Sequence, residues 1–280
     1  MSLIMNEIEE PDYEASIGVF DSGVGGLTVA REIMRQMPNE RIIYFGDTAR
    51  VPYGGKSQTI IIKYSRQIVR FLKTKKVKAI VVACNTASAY ALDTLEAEID
   101  IPIIGVVKPG AKVAAESTRN GIIGVTGTEG TINSGIYSEF LHIRNKDLTV
   151  IGKACPLFVP LVEEGWIKDS ITEEVAYRYL SELKESGIDT LILGCTHYPL
   201  IRSTVRKVIG EGVTLVNPAY ETARELKVLL EKYHLLNRTE NDGMGHEFYV
   251  SDAPDKFKQF ANSILPYEIE TTKLINIDEF

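Results

Sequence analysis

The sequence predicts an α/β fold with two pseudo-symmetric lobes, each a parallel sheet flanked by helices, that enclose a site between them. Three observations support this prediction. Short β-rich segments alternate with longer amphipathic segments, an order typical of parallel strands joined by helical crossovers. The β-rich segments are almost entirely apolar, as expected of strands that are covered on both faces. Two pairs of segments also recur in the same order along the chain.

Hydrophobic periodicity and the turn residues between segments predict eight strands and eight helices. The strands are expected at 16–20, 41–45, 77–83, 102–106, 121–125, 148–152, 190–193 and 213–216. The helices are expected near 26–37, 57–75, 87–98, 109–118, 131–142, 172–186, 199–208 and 219–233. Each strand is followed by a helix, and ligands of open parallel sheets bind outside the carboxyl ends of the strands. The turns at those ends are therefore the candidate sites.

The repeated segments suggest an internal duplication. IGVFDSG at 17–23 resembles IGVTGTE at 123–129, and AIVVACNT at 79–86 resembles TLILGCTH at 190–197. The order is the same in both copies and the spacing is nearly equal. The alternative is chance, since every α/β protein repeats a strand followed by a turn.

The chain of 280 residues is long enough for two domains of ordinary size. We expect residues 1–98 and about 210–280 to form the first lobe, and residues 99–209 to form the second.

Composition excludes several classes of protein. With 31 basic and 38 acidic residues, the net charge of −7 argues against nucleic-acid binding. No segment approaches the roughly 18 consecutive apolar residues that a membrane span requires. The start, MSLIMNEIEEPDYEAS, is polar and acidic, and is expected to be a short arm rather than a signal peptide. Three widely spaced cysteines do not form a secreted disulfide framework, so a reducing cytoplasmic location is expected.

The turn FDSGVGGLTVAREI at 20–33 is the first candidate site. Its glycines permit a tight turn, and the helix behind it offers free N–H groups to an anion. The spacing is neither that of a dinucleotide fingerprint nor that of a phosphate-binding P-loop. Asp21 is therefore a candidate ligand-binding residue, with a helix N-cap as the alternative.

The turn GDTARVPYGGKS at 46–57 is the second candidate. Asp47 follows a strand, and the Pro-Tyr-Gly-Gly segment at 52–55 forms a loop able to present backbone donors. An ordinary surface turn explains the same pattern.

The turns ACNTASA at 83–89 and GCTHYPL at 194–200 each place a cysteine between a strand and a helix. The dipole of a helix N-terminus lowers the pKa of a thiol from its reference of about 8.5. A lone cysteine is usually a small buried apolar residue, and that is our interpretation of Cys155. Cys84 and Cys195 differ because they lie at matching positions of the repeat. Structural zinc fits poorly because there is no C-x-x-C, and a cysteine hydrolase needs only one nucleophile.

Two thiols that face one ligand from opposite lobes suit the inversion of a carbon stereocentre. One thiolate removes a proton from one face, and the opposing thiol donates a proton to the other face. No segment resembles a pyridoxal phosphate site, so we expect neither a cofactor nor a metal. The carbanion would then be stabilised by fixed hydrogen bonds and a retained ammonium charge.

Seven motifs in order closely resemble the aspartate/glutamate racemase family, and its glutamate racemases in particular. They are FDSGVGGLTV, YFGDTARVPYG, ACNTASA, GVVKPG, GVTGTEGTI, CPLFVPLVEEG and LGCTHYPL. The resemblance extends over about 17–220 and, more weakly, over FYVSD at 248–252. It implies a cofactor-independent enzyme that interconverts L- and D-glutamate and supplies D-glutamate for peptidoglycan, as a homodimer. Aspartate, another amino acid, or binding without turnover remain alternatives.

The resemblance also implies roles for individual residues. Cys84 would deprotonate D-glutamate and Cys195 would deprotonate L-glutamate, with Asp21 and His197 assisting the thiols or holding the ammonium group. The residues implied to bind substrate are Asp21, Ser22, Tyr53, Gly54, Asn85, Thr86, Thr196 and His197. Asp47 and Glu163 are supporting acidic positions, although Glu164 fits the second pattern equally well. Thr126 and Thr128 are candidates for contact with the side-chain carboxylate.

Overall fold

The structure, a computed structural model, describes residues 12–240 and 245–280. The predicted N-terminal arm falls largely in residues 1–11, outside the described ranges. Within these ranges ten strands form two sheets, and every pairing is parallel. The first sheet contains, in spatial order, β10 (Lys273–Leu274), β9 (Glu247–Val250), β2 (Ile42–Gly46), β1 (Ile17–Asp21), β3 (Ala79–Val82) and β4 (Ile103–Gly105). The second contains β6 (Thr149–Ala154), β5 (Ile122–Gly127), β7 (Thr190–Gly194) and β8 (Thr214–Val216).

Helices connect the strands and cover both sheets. They are α1 (Leu27–Gln36), α2 (Gln58–Thr74), α3 (Asn85–Tyr90), α4 (Leu92–Glu98), α5 (Val107–Ser117), α6 (Glu129–Asn133), α7 (Ile136–Arg144), α8 (Phe158–Glu163), α9 (Ser170–Glu185), α10 (Arg202–Ile209), α11 (Pro218–Lys232) and α12 (Pro254–Ile264). Short 3-10 helices occur at Tyr198–Ile201 and Ile277–Glu279. Among the residues described, no helix has the length and apolar character needed to cross a membrane.

The two sheets share one strand order, which confirms the predicted fold class. The order β2-β1-β3-β4 of the first sheet corresponds to β6-β5-β7-β8 of the second. In each sheet the strand that comes first in this set, β1 or β5, lies between the second and the third. Cys84 follows β3 and Cys195 follows β7, so the two cysteines lie beyond equivalent strands.

Hydrophobic packing covers both faces of each sheet. In β1 the side chains of Ile17 and Val19 enter one buried cluster, and that of Phe20 enters another on the opposite face. The second sheet is likewise packed between two clusters, with Leu191 in one and Ile192 in the other. This two-sided burial explains why the strands have no polar alternation.

All eight predicted strands form, and two predicted helices are divided. The helix expected at 87–98 breaks at Ala91, and the one expected at 131–142 breaks at Gly135, which has a left-handed φ of 68°. The elements that were not predicted are α8, α12, β9, β10 and the 3-10 helix at Ile277–Glu279. The strand β9 has only four residues and pairs with β2, with Tyr44 opposite Phe248. Such a short strand depends on a distant partner rather than on local pattern.

The chain passes between the lobes later than the expected boundaries at 98–99 and about 210. The strand at 103–105 pairs with β3 in the first sheet, and the strand at 214–216 pairs with β7 in the second. Helix α11 follows and packs against α1 of the first lobe and α5 of the second. The remainder returns to the first sheet through β9.

Candidate active site

A cavity of about 480 Å³ lies where the carboxyl ends of the two sheets face each other. Both candidate thiols, Cys84 and Cys195, line it. The other residues singled out from the sequence that line it are Asp21, Ser22, Tyr53, Gly54, Asn85, Thr86, Thr128, Glu163, Thr196 and His197. The cavity therefore brings together segments that follow six strands, β1, β2 and β3 of the first lobe and β5, β6 and β7 of the second.

Cys84 is the N-cap of α3, and its Sγ accepts the backbone N–H of Ala87 at 3.5 Å. The thiol also lies 3.8 Å from the hydroxyl of Ser22. Burial and then the carboxylate charge of Asp21 raise the pKa of Cys84 well above its ordinary value. The lowering expected from the helix N-terminus is thus outweighed, because the thiol is buried and faces an acidic group.

Asp21 ends β1 and is 1% exposed. Its Oδ2 accepts the backbone N–H groups of Gly23 at 3.1 Å and Gly26 at 3.0 Å. Burial raises the pKa of Asp21, although the charge of His197 and these N–H groups oppose the effect. A Cβ at position 26 would lie 2.5 Å from Asp21 Cβ, so the turn requires glycine there. Asp21 organises this turn and also faces the cavity, while Gly26 occupies the N-cap of α1.

Cys195 has a different set of partners. Its Sγ lies 3.8 Å from Nδ1 of His197, and Nε2 of His197 lies 3.0 Å from Oε1 of Glu163. Burial disfavours the charged imidazole, but the contacts with Cys195 and Glu163 outweigh burial and raise the pKa of His197 to about 10. Burial likewise opposes the charge of Glu163, yet its hydrogen bond with His197 lowers the pKa of that carboxyl. After Cys195 the chain forms a turn and a 3-10 helix before α10, rather than entering an α-helix directly.

Asp47 lies behind the cavity rather than on its wall. It is fully buried, and its carboxylate accepts the hydroxyl of Tyr53 at 2.5 Å, Nε of Arg50 at 2.7 Å and the hydroxyl of Ser251 at 2.8 Å. Tyr53 and Gly54 do line the cavity. Asp47 therefore holds the Tyr53 loop in place.

Three hydroxyls form a cluster at the boundary between the lobes. Thr86 of the first lobe lies 3.0 Å from Thr128 and 3.3 Å from Thr131 of the second, and these two are 3.0 Å apart. Thr86 and Thr128 face the cavity and offer hydroxyl donors to a carboxylate. Thr126 is not on the cavity wall, because its hydroxyl donates to the carbonyl of Ile192 in the adjacent strand.

Hydrogen bonds to backbone carbonyls join the lobes on two sides of the cavity. Thr28 of α1 donates its hydroxyl to the carbonyl of Thr196 at 2.8 Å. On the other side, the N–H of Gly130 donates to the carbonyl of Gly54 at 2.8 Å. The described conformation is thus one in which the lobes are in contact.

Sequence reasoning missed part of the cavity wall. Its apolar members are Val51, Pro52, Pro156, Val159 and Pro160. The last three lie within CPLFVPLVEEG, but an apolar residue in a sequence does not reveal whether it faces a core or a cavity. In the two described ranges, no group of three His, Cys, Asp or Glu side chains is arranged to hold a metal ion.

Comparison with known proteins is consistent with this site. Residues 17–226 match the protein family described as Asp/Glu/Hydantoin racemase. A glutamate racemase from Geobacter metallireducens is 50% identical over 250 residues, which cover 89% of this chain and 92% of the relative. A crystal structure of a glutamate racemase isoform from Bacillus anthracis is 42% identical, covers 94% of this chain and 98% of its own, and has a TM-score of 0.90.

A further crystal structure contains an amino acid. It is that of a glutamate racemase from Francisella tularensis in complex with D-glutamate, 40% identical, with 96% of this chain and 100% of that chain covered and a TM-score of 0.89. With a family match over most of its length and relatives at this level of identity, the chain belongs to the Asp/Glu/Hydantoin racemase family, in the group of its glutamate racemases.

Proposed function

We propose that this protein interconverts L- and D-glutamate by a two-base mechanism that needs no cofactor. Cys84 and Cys195 carry out the proton transfers on opposite faces of the substrate Cα. The observation that carries the proposal is that equivalent ends of two equivalent sheets each present one thiol to a single cavity.

The two thiols have different charged neighbours. The pKa of Cys84 is raised by burial and by Asp21, which favours its protonated form. Cys195 lies beside His197, whose pKa of about 10 keeps the imidazole cationic at neutral pH. The two sides of the cavity therefore differ in charge, although their backbones correspond.

In the conversion of L- to D-glutamate, the thiolate form of Cys195 takes the α-proton of L-glutamate and becomes a thiol. The C–H electron pair remains on the substrate as a carbanion, and the Cys84 thiol donates its proton to the opposite face. This leaves D-glutamate and a Cys84 thiolate. The reverse reaction starts from that state, and the free enzyme regains its first state by exchange of protons with water.

The polar groups on the cavity wall suit an amino acid with two carboxylates. Asp21 is an anionic partner for the ammonium group, while Asn85, Thr86 and Thr128 offer neutral donors to carboxylates. Donors that are already oriented stabilise the negative charge that develops on the α-carboxylate as the proton leaves. The complex of the Francisella relative with D-glutamate supports glutamate as the substrate.

The test is deuterium incorporation in D₂O with Cys84→Ser and Cys195→Ser variants. The unaltered enzyme is expected to racemise either enantiomer and to place deuterium at Cα of the product. Each variant is expected to lose racemisation by about 10³-fold or more, within the range attributed to positioned acid–base groups. Cys84→Ser retains the thiol that acts on L-glutamate, so deuterium should enter L-glutamate without inversion, and Cys195→Ser should do the same with D-glutamate.

Cys155→Ser is the control, because this third buried thiol does not line the cavity. Full racemisation by either Cys84→Ser or Cys195→Ser would refute the two-base mechanism. Faster turnover of aspartate than of glutamate would identify aspartate as the preferred substrate. Binding of glutamate without deuterium exchange at Cα would indicate a binding protein.

We extend the proposal to the cellular role inferred from the family resemblance. The enzyme would supply D-glutamate for peptidoglycan synthesis, and thereby serve the cell wall and cell shape. It would act in the cytoplasm, where a reducing environment suits three free cysteines. Association as a homodimer likewise remains a prediction.

A further inference from the structure

Tyr137 is a buried side chain that connects the two catalytic strand ends without facing the cavity. It lies in α7 of the second lobe and is 3% exposed. Its hydroxyl donates to Oδ1 of Asn85 in the first lobe at 2.7 Å. Asn85 immediately follows Cys84 and does line the cavity.

The ring of Tyr137 also contacts the other catalytic strand. A Cβ added to Gly194, the residue before Cys195, would lie 3.1 Å from Cε2 of Tyr137. The side chain of Tyr137 therefore contacts Asn85, which follows Cys84, and Gly194, which precedes Cys195.

The hydroxyl of Tyr137 is restricted to the role of donor toward Asn85. Burial, with the charge of Cys195, raises the pKa of Tyr137, so the hydroxyl keeps its proton at neutral pH. Among the described residues, Asn85 Oδ1 is the one acceptor within hydrogen-bond distance of this proton. If the amide of Asn85 turned over, the buried hydroxyl would lose its acceptor, and a buried donor without a partner is unfavourable.

The orientation of the Asn85 amide decides what it offers to a ligand. An amide has one accepting and one donating end. With Oδ1 engaged by Tyr137, Nδ2 is the end left for the cavity, and no described residue accepts a hydrogen bond from it. A donor there attracts a carboxylate, whereas the carbonyl end would repel one.

From these contacts we infer that Tyr137 is a positioning residue, which holds the Asn85 amide with its N–H groups toward the cavity and so makes Asn85 a carboxylate-binding residue. The inference deepens the proposed function and rests on it. Tyr137 acts through Asn85 and does not itself touch the substrate.

A double-mutant cycle tests this role. Tyr137→Phe removes the hydroxyl and keeps the ring that packs on Gly194. We expect it to lower kcat/KM for both enantiomers by about 5- to 30-fold and to weaken D-glutamate binding, measured by calorimetry, by a similar factor. In an Asn85→Ala background the same change should alter both quantities by less than about 2-fold, because there is no amide left to orient.

Tyr198→Phe is the matched control. Tyr198 is another fully buried tyrosine of the second lobe, but its hydroxyl donates to the carbonyl of Cys155, away from the cavity. Tyr198→Phe should lower the melting temperature as Tyr137→Phe does, while kcat/KM stays within about 3-fold of the value for the unaltered enzyme. All assays are run well below the melting temperature of each variant.

The outcomes separate this inference from the function on which it rests. Equal losses from Tyr137→Phe with and without Asn85 would show a purely structural role and overturn the inference alone. So would equal losses of activity in Tyr137→Phe and Tyr198→Phe. An unaltered protein that neither binds nor racemises glutamate would overturn the proposed function and this inference together.

Discussion

Cys84 and Cys195 end equivalent strands, yet the charged group that acts on each has the opposite sign. Burial and the Asp21 carboxylate raise the pKa of Cys84, whereas Cys195 adjoins the imidazole of His197. The fold is thus pseudo-symmetric in its backbone and asymmetric in its charges. Two chemically identical groups therefore lie in different electrostatic surroundings.

Glu163→Gln tests the partner of His197. The carboxylate favours the charged imidazole, so its loss should lower the pKa of His197, which is raised to about 10. The alkaline limb of kcat/KM should therefore move to lower pH. Loss of one charged hydrogen bond predicts a fall in kcat/KM of about 10- to 100-fold. The value of kcat/KM should fall equally for L- and D-glutamate, because the two enantiomers have equal free energy.

Glu164→Gln is the control for that experiment and decides between the two glutamates that the sequence left open. Glu164 is exposed, whereas Glu163 lines the cavity. A larger loss of activity from Glu164→Gln, or an unmoved alkaline limb in Glu163→Gln, would contradict the assigned role.

Close packing of two turns sets the contact between the lobes at the level of elements. The turn before α1 meets the turn after β7, and at Gly25 an added Cβ would lie 2.4 Å from Nδ1 of His197 and 2.5 Å from Oγ1 of Thr196. This glycine is required by the neighbouring lobe, since its own φ is not left-handed. The closeness of the two turns brings the imidazole of His197 near Asp21 of the first lobe, where its charge opposes the effect of burial on the pKa of Asp21.

Gly25→Ala is therefore expected to separate the lobes and reduce kcat/KM by about 100-fold or more, because small displacements of acid–base groups are costly. The melting temperature should fall only modestly, since neither sheet is disturbed. Gly212→Ala provides the comparison, as nothing lies within 4 Å of an added Cβ in that exposed turn. Activity that survived Gly25→Ala intact would show that the lobes need not approach this closely.

Much of this element-level arrangement was readable from local pattern, and some of it was not. Apolar segments bounded by turns predicted eight strands, and each cysteine could be placed at a strand end. The break at Gly135 and the strand β9 were not visible, because the first depends on a single left-handed glycine and the second on pairing with β2. The wall residue Val159 was missed because apolar character is common to cores and cavities.

At the scale of the whole molecule, the C-terminal segment completes the first lobe and supports the cavity from behind. It returns through β9, and Ser251 donates to the carboxylate of Asp47, which in turn accepts the hydroxyl of Tyr53. Residues far apart in sequence thereby hold one loop of the cavity wall. The stability of the C-terminal return should consequently affect the cavity.

His246 makes that return sensitive to acid. Its Nδ1 accepts the backbone N–H of Ile42 at 3.0 Å, its ring stacks on Tyr267, and burial with the charge of Arg41 lowers its pKa to about 4. The unfolded chain, with a histidine pKa near 6.5, binds more protons than the folded one between about pH 4 and 6.5. The contribution of His246 to the free energy of unfolding is therefore complete above about pH 6.5 and is lost as the pH falls toward 4.

His246→Asn retains an acceptor for Ile42 but does not titrate. Between pH 6.5 and 4.5, the unaltered protein should lose about 1–2 kcal/mol more unfolding free energy than the variant, in urea titrations, after solvent screening of a partly buried ring. Identical losses in both proteins would show that other groups dominate acid unfolding.

The sequence by itself determined eight of the ten strands, the repetition of the strand-end motifs and the positions of both thiols after strands. These properties follow from hydrophobic periodicity, turn chemistry and the repetition of short motifs, all of which act over a few residues. Only the tertiary structure decided which groups surround each thiol, where the chain passes between lobes, and that Asp47 supports a loop instead of lining the cavity. Burial, charge and hydrogen bonding at these positions arise from residues such as Glu163 and Tyr137, which are distant in sequence and come together only when the two sheets face each other.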